Sequence, residues 1–165
     1  YGSTVWGLTA SDGPGNTTVT IDGTERQFRG YWARGAARDD IRDDGTIAPT
    51  AAGGSVPFAP EIAIPALRTM RERYGDALFT QYGFRDAFNP TWTLDKLPPD
   101  GGLLTDRGWV DQHYLGIDQG PILAMIENHR TGMVWELMRQ SPPIVRGLCR
   151  AGFTGGWIDG RCPGD

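Results

Sequence analysis

Apolar positions recur at helical spacing in two regions of the chain and with a period of two in one. Ile62, Ala66, Leu67, Met70 and Tyr74 repeat at helical intervals, with Arg68, Arg71, Glu72 and Arg73 on the opposite face. Gly75 stands where such a helix stops. Two starts fit. Pro60 suits a first helical position, where its missing N–H costs nothing, but Pro65 would then kink the axis; alternatively the main helix begins at Pro65. Ile122, Leu123, Ile126, Met133, Val134 and Leu137 trace a second stripe, entered at Pro121. Gly132 weakens it locally by about 1 kcal/mol relative to alanine. Pro142-Pro143 ends that helix and starts another, with Ile144, Val145 and Leu148 inward and Gly152 at its end. Around Asp22-Gly23, β-branched residues between Thr17 and Phe28 spell a hairpin. Two strands alone are marginal in water, so this hairpin reads as a surface excursion. The fold class that follows is mainly α: three or four helices with long loops and one β-hairpin, without the strand–helix alternation of a parallel sheet.

The run from Asp44 to Arg73 is the pivot of the chain. Gly45, Pro49, Gly53, Gly54, Pro57 and Pro60 predict an irregular first half, and the second half is the helix just described. Glu61 sits at the junction. The same loop-to-helix layout recurs around Asp12 and Asp118. Loops held by rigid helices are where binding and catalytic groups concentrate, and loops this long are uncommon without function.

Composition narrows the class. At 165 residues, 22% charged and 39% apolar, the chain reads as one globular unit over residues 1–165. A net charge of −4 argues against nucleic acid or an anionic membrane as partner, and no apolar run approaches the ~20 residues of a membrane span. The start has no leader pattern and Tyr1 is not an initiator Met, so the chain reads as cut from something longer. Six Trp and five Tyr suit sugar rings and cores alike. Cys149 and Cys162 are either two free thiols or one disulfide closing a glycine-rich tail; the latter would imply export.

Four carboxylates, Asp12, Glu61, Asp118 and Glu127, stand at or just beyond loop-to-helix junctions, with Trp6, Trp92, Trp109 and Tyr114 in the same loops. Glycoside hydrolysis needs two carboxyl groups, one kept protonated, and aromatic platforms for the sugar. Each acid also has a plainer reading: a carboxylate near a helix N-terminus is favoured by the dipole, and Glu127 faces Arg130 three residues on. Other chemistries lack their motifs: there is no nucleophile elbow and no phosphate loop. The acidic run from Asp39 to Gly45 lacks calcium-ligand spacing and reads as a solvated loop. His113 and His129 suggest no pair, and no metal or other cofactor is expected.

Four ordered motifs carry a family resemblance. They are Trp6-Gly7-Leu8-Thr9-Ala10-Ser11-Asp12-Gly13-Pro14; Asp44-Gly45-Thr46-Ile47-Ala48-Pro49 with Ser55-Val56-Pro57-Phe58-Ala59-Pro60-Glu61; Tyr82-Gly83-Phe84-Arg85-Asp86-Ala87-Phe88-Asn89; and Gly116-Ile117-Asp118-Gln119-Gly120-Pro121 with Met125-Ile126-Glu127-Asn128. Together they resemble the bacterial glucoamylase-like domain family. The resemblance implies the C-terminal portion of an (α/α)6 toroid. It implies a glycoside hydrolase of β-glucan, with β-1,2-glucan favoured, inverting, free of cofactors, and periplasmic or secreted. It implies oligo- or polysaccharide as the partner. On these grounds Asp12 and Glu61 are the expected catalytic acids. Trp6, Asn89, Trp109, Tyr114, Asp118, Gln119 and Glu127 are the expected sugar-binding residues. A complete toroid needs more helices than the chain supplies, so part of the active site is expected upstream. The rival expectations are a non-catalytic carbohydrate-binding module and an inert fragment of a toroid.

Overall fold

The structure is a computed structural model and describes residues 1–37 and 40–162; Asp39, in the acidic run read as a solvated loop, lies outside them. It divides into two compact units, Tyr1–Ile126 and Glu127–Asp165.

The first unit opens with six short strands: β1 (Ala10–Ser11), β2 (Thr17–Ile21), β3 (Thr24–Phe28), β4 (Trp32–Ala33), β5 (Gly35–Ala37) and β6 (Asp40–Arg42). Two helices follow, α1 (Pro49–Ser55) and α2 (Pro60–Tyr74). Five further strands come next: β7 (Phe79–Thr80), β8 (Gly83–Phe84), β9 (Phe88–Asn89), β10 (Leu103–Thr105) and β11 (Gly108–Val110). Then α3 spans Gly116–Thr131, entering the second unit at its last turn.

The predicted hairpin is β2–β3, with Thr17 opposite Phe28 and a two-residue turn at Asp22 and Gly23, both at positive φ (50° and 75°). Its tip is exposed while Ile21 and Phe28 are buried, and the Phe28 ring meets Trp92 edge-on at 5.0 Å. It is one of five small sheets among the described residues, all antiparallel, where a single hairpin was expected. Strands of two or three residues carry too little periodicity to be read from sequence.

The expected irregular stretch before Pro60 is instead the helix α1. Pro49 sits at its first turn, where a proline removes no bond. Gly53 serves close approach and not flexibility: a Cβ there would lie 2.7 Å from Ile122 Cγ1 on α3. Helix α2 starts at Pro60 and carries Pro65 inside it. Its inward residues are Ala63, Ala66 and Met70, whereas Ile62, assigned to the inner stripe, is half exposed. Helix α3 likewise begins before its proline, with Pro121 inside, and Leu123 of the expected stripe faces solvent.

One cluster of Val5, Ile47, Ala52, Ala66, Met70, Leu78, Phe84, Phe88 and Val110 forms the main core; Ile21, Phe28, Ala87, Trp92 and Trp109 form a second. Strand β9 lies between Ile47 and β11, bonded to both.

In the second unit the predicted long helix breaks at Gly132, which adopts a left-handed conformation (φ 71°) and precedes α4 (Met133–Gln140). α5 (Pro142–Arg150) begins at the Pro-Pro pair, as predicted. Cys149 and Cys162 form a disulfide that ties α5 to the tail. Met133 and Leu137 are exposed, although the periodicity assigns them inward. No described helix is long and apolar enough to cross a membrane.

Gly53→Ala should destabilise the fold by about 1–3 kcal/mol through overpacking against Ile122. Urea unfolding of Gly53→Ala, Ile122→Ala and the double variant checks it: the double variant should lose less than the sum of the singles.

Candidate active site

Asp86 lies on the bend between β8 and β9, and it is buried along with Phe84 and Phe88, which sit in the apolar core. The ladder between β9 and β11 continues past both strands: the Asp111 N–H donates to the Ala87 carbonyl (2.9 Å) and the Asp86 N–H to the His113 carbonyl (3.0 Å). This extension brings Asp86, Asp111 and His113 together. From the N-terminal loop, the Asp12 N–H donates to Asp86 Oδ2 at 2.6 Å. From the start of α3, Asp118 meets Asp86 carboxyl to carboxyl. Thr50 on α1 donates to the Asp118 carbonyl at 2.7 Å, tying that helix start to α1.

Four acids therefore meet in one place. Asp86, Asp111 and Asp118 are buried, and Asp12 keeps a quarter of its side chain exposed. Burial, then the hydrogen bond with Asp118, push Asp86 up to about 8, against the pull of the Asp12 N–H. Asp86 Oδ1 and Asp118 Oδ2 have no hydrogen-bond partner among the described residues. A proton kept on Asp86 gives that carboxyl group a donor, as expected where two carboxyl groups lie close together in a buried place. Burial also pushes Asp111 up, while His113 pulls it down. His113 Nδ1 lies 3.0 Å from Asp111 Oδ1 and 3.4 Å from Asp12 Oδ2, so the exposed imidazole bridges them. Asp12, Asp111 and His113 offer ligand atoms within 4.8 Å of one another and form the group among the described residues suited to hold a cation.

The loops that bear Asp12 are knotted on Arg34. Its Nε and Nη2 take Asp44 Oδ1 and Oδ2, both at 3.0 Å. Nη1 donates to the Ser11 carbonyl at 2.6 Å, and Nη2 to the Arg29 and Gly30 carbonyls at 3.0 Å. Although burial pushes Asp44 up, the Arg34 guanidinium holds it below the usual carboxylate range.

The other expected site residues divide. Asp118 joins the cluster. Glu61 stands exposed on the first turn of α2, and no hydrogen bond or ion pair among the described residues links it to Asp12. Asn89, assigned to sugar, is fully buried and spent: its Nδ2 donates to the Asp44 carbonyl (3.0 Å) and to Thr46 Oγ1 (2.9 Å), and its Oδ1 accepts from the Thr91 N–H (2.9 Å). Trp109 is also corrected from platform to core. It is 1% exposed, and its indole donates to the Gly101 carbonyl at 2.6 Å. Trp6 is half-buried beside a cleft of about 550 Å³, and its indole N–H has no acceptor among the described residues. A second cleft, of about 240 Å³, has Asp118 in its wall and shares Thr9 and Ala51 with the first. Tyr114 is hydrogen-bonded to the Thr80 hydroxyl and meets the exposed Tyr82 edge-on at 5.9 Å. Gln119 donates to the Phe84 carbonyl at 2.8 Å. In the second unit, Glu127 binds Arg130 (3.0 Å) and Thr131 Oγ1 (2.7 Å).

Sequence reasoning missed Asp86, Asp111 and His113 as site residues. The usable signal was an acid set in an apolar run, Phe84-Arg85-Asp86-Ala87-Phe88.

The family model of the glycoamylases, described as "Putative glucoamylase", matches residues 1–142. The chain belongs to this family. It is 35% identical over 148 residues to an exo-β-1,2-glucooligosaccharide sophorohydrolase (non-reducing end) of Parabacteroides distasonis, covering 90% of this chain and 16% of that protein. It resembles the crystal structure of an endo-β-1,2-glucanase from Chitinophaga pinensis in complex with sophorotriose and glucose (TM-score 0.68, 32% identity, 95% of this chain and 30% of that one). It also resembles a β-1,2-glucanase from Parabacteroides distasonis (TM-score 0.65, 34% identity, 90% of this chain and 17% of that one). The glycoamylase chain thus spans less than a third of the length of each of these relatives.

Asp86 is raised in the folded state, so it retains a proton that the unfolded chain loses near pH ~4. Stability should be greatest below that pH and fall as pH rises to about 8. Asp86→Asn should remove this decline and melt higher than wild type at pH 8; thermal unfolding between pH 4 and 9 reads the difference.

Proposed function

We propose that the protein containing this chain is a glycoside hydrolase of β-1,2-linked glucose chains, and that the cluster around Asp12 is part of its active site. The observation that carries this reading is a buried carboxyl pair, Asp86 and Asp118, beside a partly exposed carboxylate, Asp12. Glycosidases need one carboxyl group that keeps its proton near neutrality and another that is ionised, and environment separates the two. Asp12 is the cluster's solvent-reachable carboxylate, suited to touch a glycosidic oxygen or a water. Behind it, Asp86 holds a proton beside Asp118, and His113 and Asp111 fix the direction of the Asp12 carboxylate. The activities named for the relatives, a sophorohydrolase and endo-acting and other β-1,2-glucanases, support glucose chains of this linkage as substrate.

Trp6, in the wall of one of the adjoining clefts, is proposed to stack on a sugar there. Tyr114 and Tyr82 form a further aromatic edge. The second carboxyl group of an inverting mechanism is proposed to come from the remainder of an (α/α)6 toroid, to which these helices contribute. The Cys149–Cys162 disulfide supports a periplasmic or secreted location.

Reducing-sugar release from linear β-1,2-glucan by the full-length protein tests the reading. Asp12→Asn should lower turnover at least a hundredfold, in the range of lost acid–base catalysis, while leaving glucan binding in place. A loss under tenfold would demote Asp12 to a turn residue.

A further inference from the structure

The Ser11–Asp12 peptide is gripped at both edges. Its carbonyl oxygen accepts from Arg34 Nη1 at 2.6 Å, and its N–H donates to Asp86 Oδ2 at 2.6 Å. Both partners are almost wholly buried, Arg34 at 4% and Asp86 at 1% exposure. Gly13, the next residue, closes on the same guanidinium: a Cβ there would lie 2.1 Å from Arg34 Nη2 and 2.2 Å from the Arg29 carbonyl oxygen. The backbone on either side of the Asp12 Cα is therefore set by Arg34, and Arg34 is itself set by the two-pronged contact with Asp44. We propose that Arg34 is a positioning residue for the Asp12 carboxylate, acting through the Ser11–Asp12 peptide plane whose other edge Asp86 holds. The inference rests on reading Asp12 as an acid of the active site.

The plane cannot rotate without breaking a hydrogen bond at one edge, so the placement of the Asp12 Cα–Cβ bond, from which His113 and Asp111 then orient the carboxylate, is inherited from Arg34.

The test uses Arg34→Lys and Asp44→Asn in the full-length protein, with Asp12→Asn as reference. Lysine keeps the charge but not the fork that reaches Asp44 and Ser11 together. In folded Arg34→Lys, hydrogen exchange at the Asp12 amide should quicken about tenfold or more. kcat should fall between about tenfold and 10²-fold with KM little changed, as for a misplaced catalytic group. If Arg34→Lys does not fold, Asp44→Asn, which removes the charge that holds the guanidinium, is judged by the same two readouts. A folded variant with unchanged amide exchange and kcat overturns the proposal, as does failure of both variants to fold, which would make Arg34 a folding residue only. If the Asp12 amide responds to Arg34 but Asp12→Asn retains turnover, the positioning contact stands and the reading of Asp12 as a reacting acid falls.

Discussion

A guanidinium taken out of water holds the first half of this chain together. Removing an arginine and an aspartate from solvent costs several kcal/mol for each ion, and the cost is offset only where geometry is good and the remaining donors and acceptors are met. Arg34 and Asp44 meet that condition: the fork is two-pronged, and the other guanidinium hydrogens go to carbonyls of residues 11, 29 and 30. Asp44 in turn accepts from the backbone N–H groups of Arg29 and Thr46. The short strands and loops of this region are thereby fixed to one another by polar contacts, where a larger sheet or bundle would use apolar ones. Removing either ion would leave the other buried and unpaired.

This inversion explains how the chemistry is laid out. The apolar core of α1, α2, β9 and β11 supplies a rigid back wall, and the polar knot supplies the loops in front of it. The acids stand where the two meet: Asp86 and Asp111 come from the ladder, Asp12 from the knot, and Asp118 from a helix start pinned by Thr50. Neither system alone would bring four acids so close. The proton kept on Asp86 is what the packing demands once they are there.

Much of this was legible in the sequence, and the failures have physical causes. The Asp22-Gly23 hairpin, the helix from Pro60 to Tyr74 and the Pro-Pro start of α5 announce themselves through local chemistry. Helix α1 did not, because its glycines imitate a breaker while serving close packing against Ile122. Asp118 was found from its loop-to-helix setting; the same setting was expected of Asp12, which instead stands between β1 and β2, far from any helix start. Asp86 and Asp111 were missed because they stand just beyond strands of two or three residues, which give no period to read. Asn89 and Trp109 were misassigned because an amide or an indole looks the same in a core as in a binding cleft; only the hydrogen bonds that consume them tell the difference.

The contact of Gly53 with Ile122 also has a chemical side. Thr50, one turn earlier on α1, donates to the carbonyl of Asp118, so the distance between two helices sets the depth at which an acid is buried. A change of side-chain volume at that packing position would therefore shift the start of α3, and Asp118 with it, relative to Asp86.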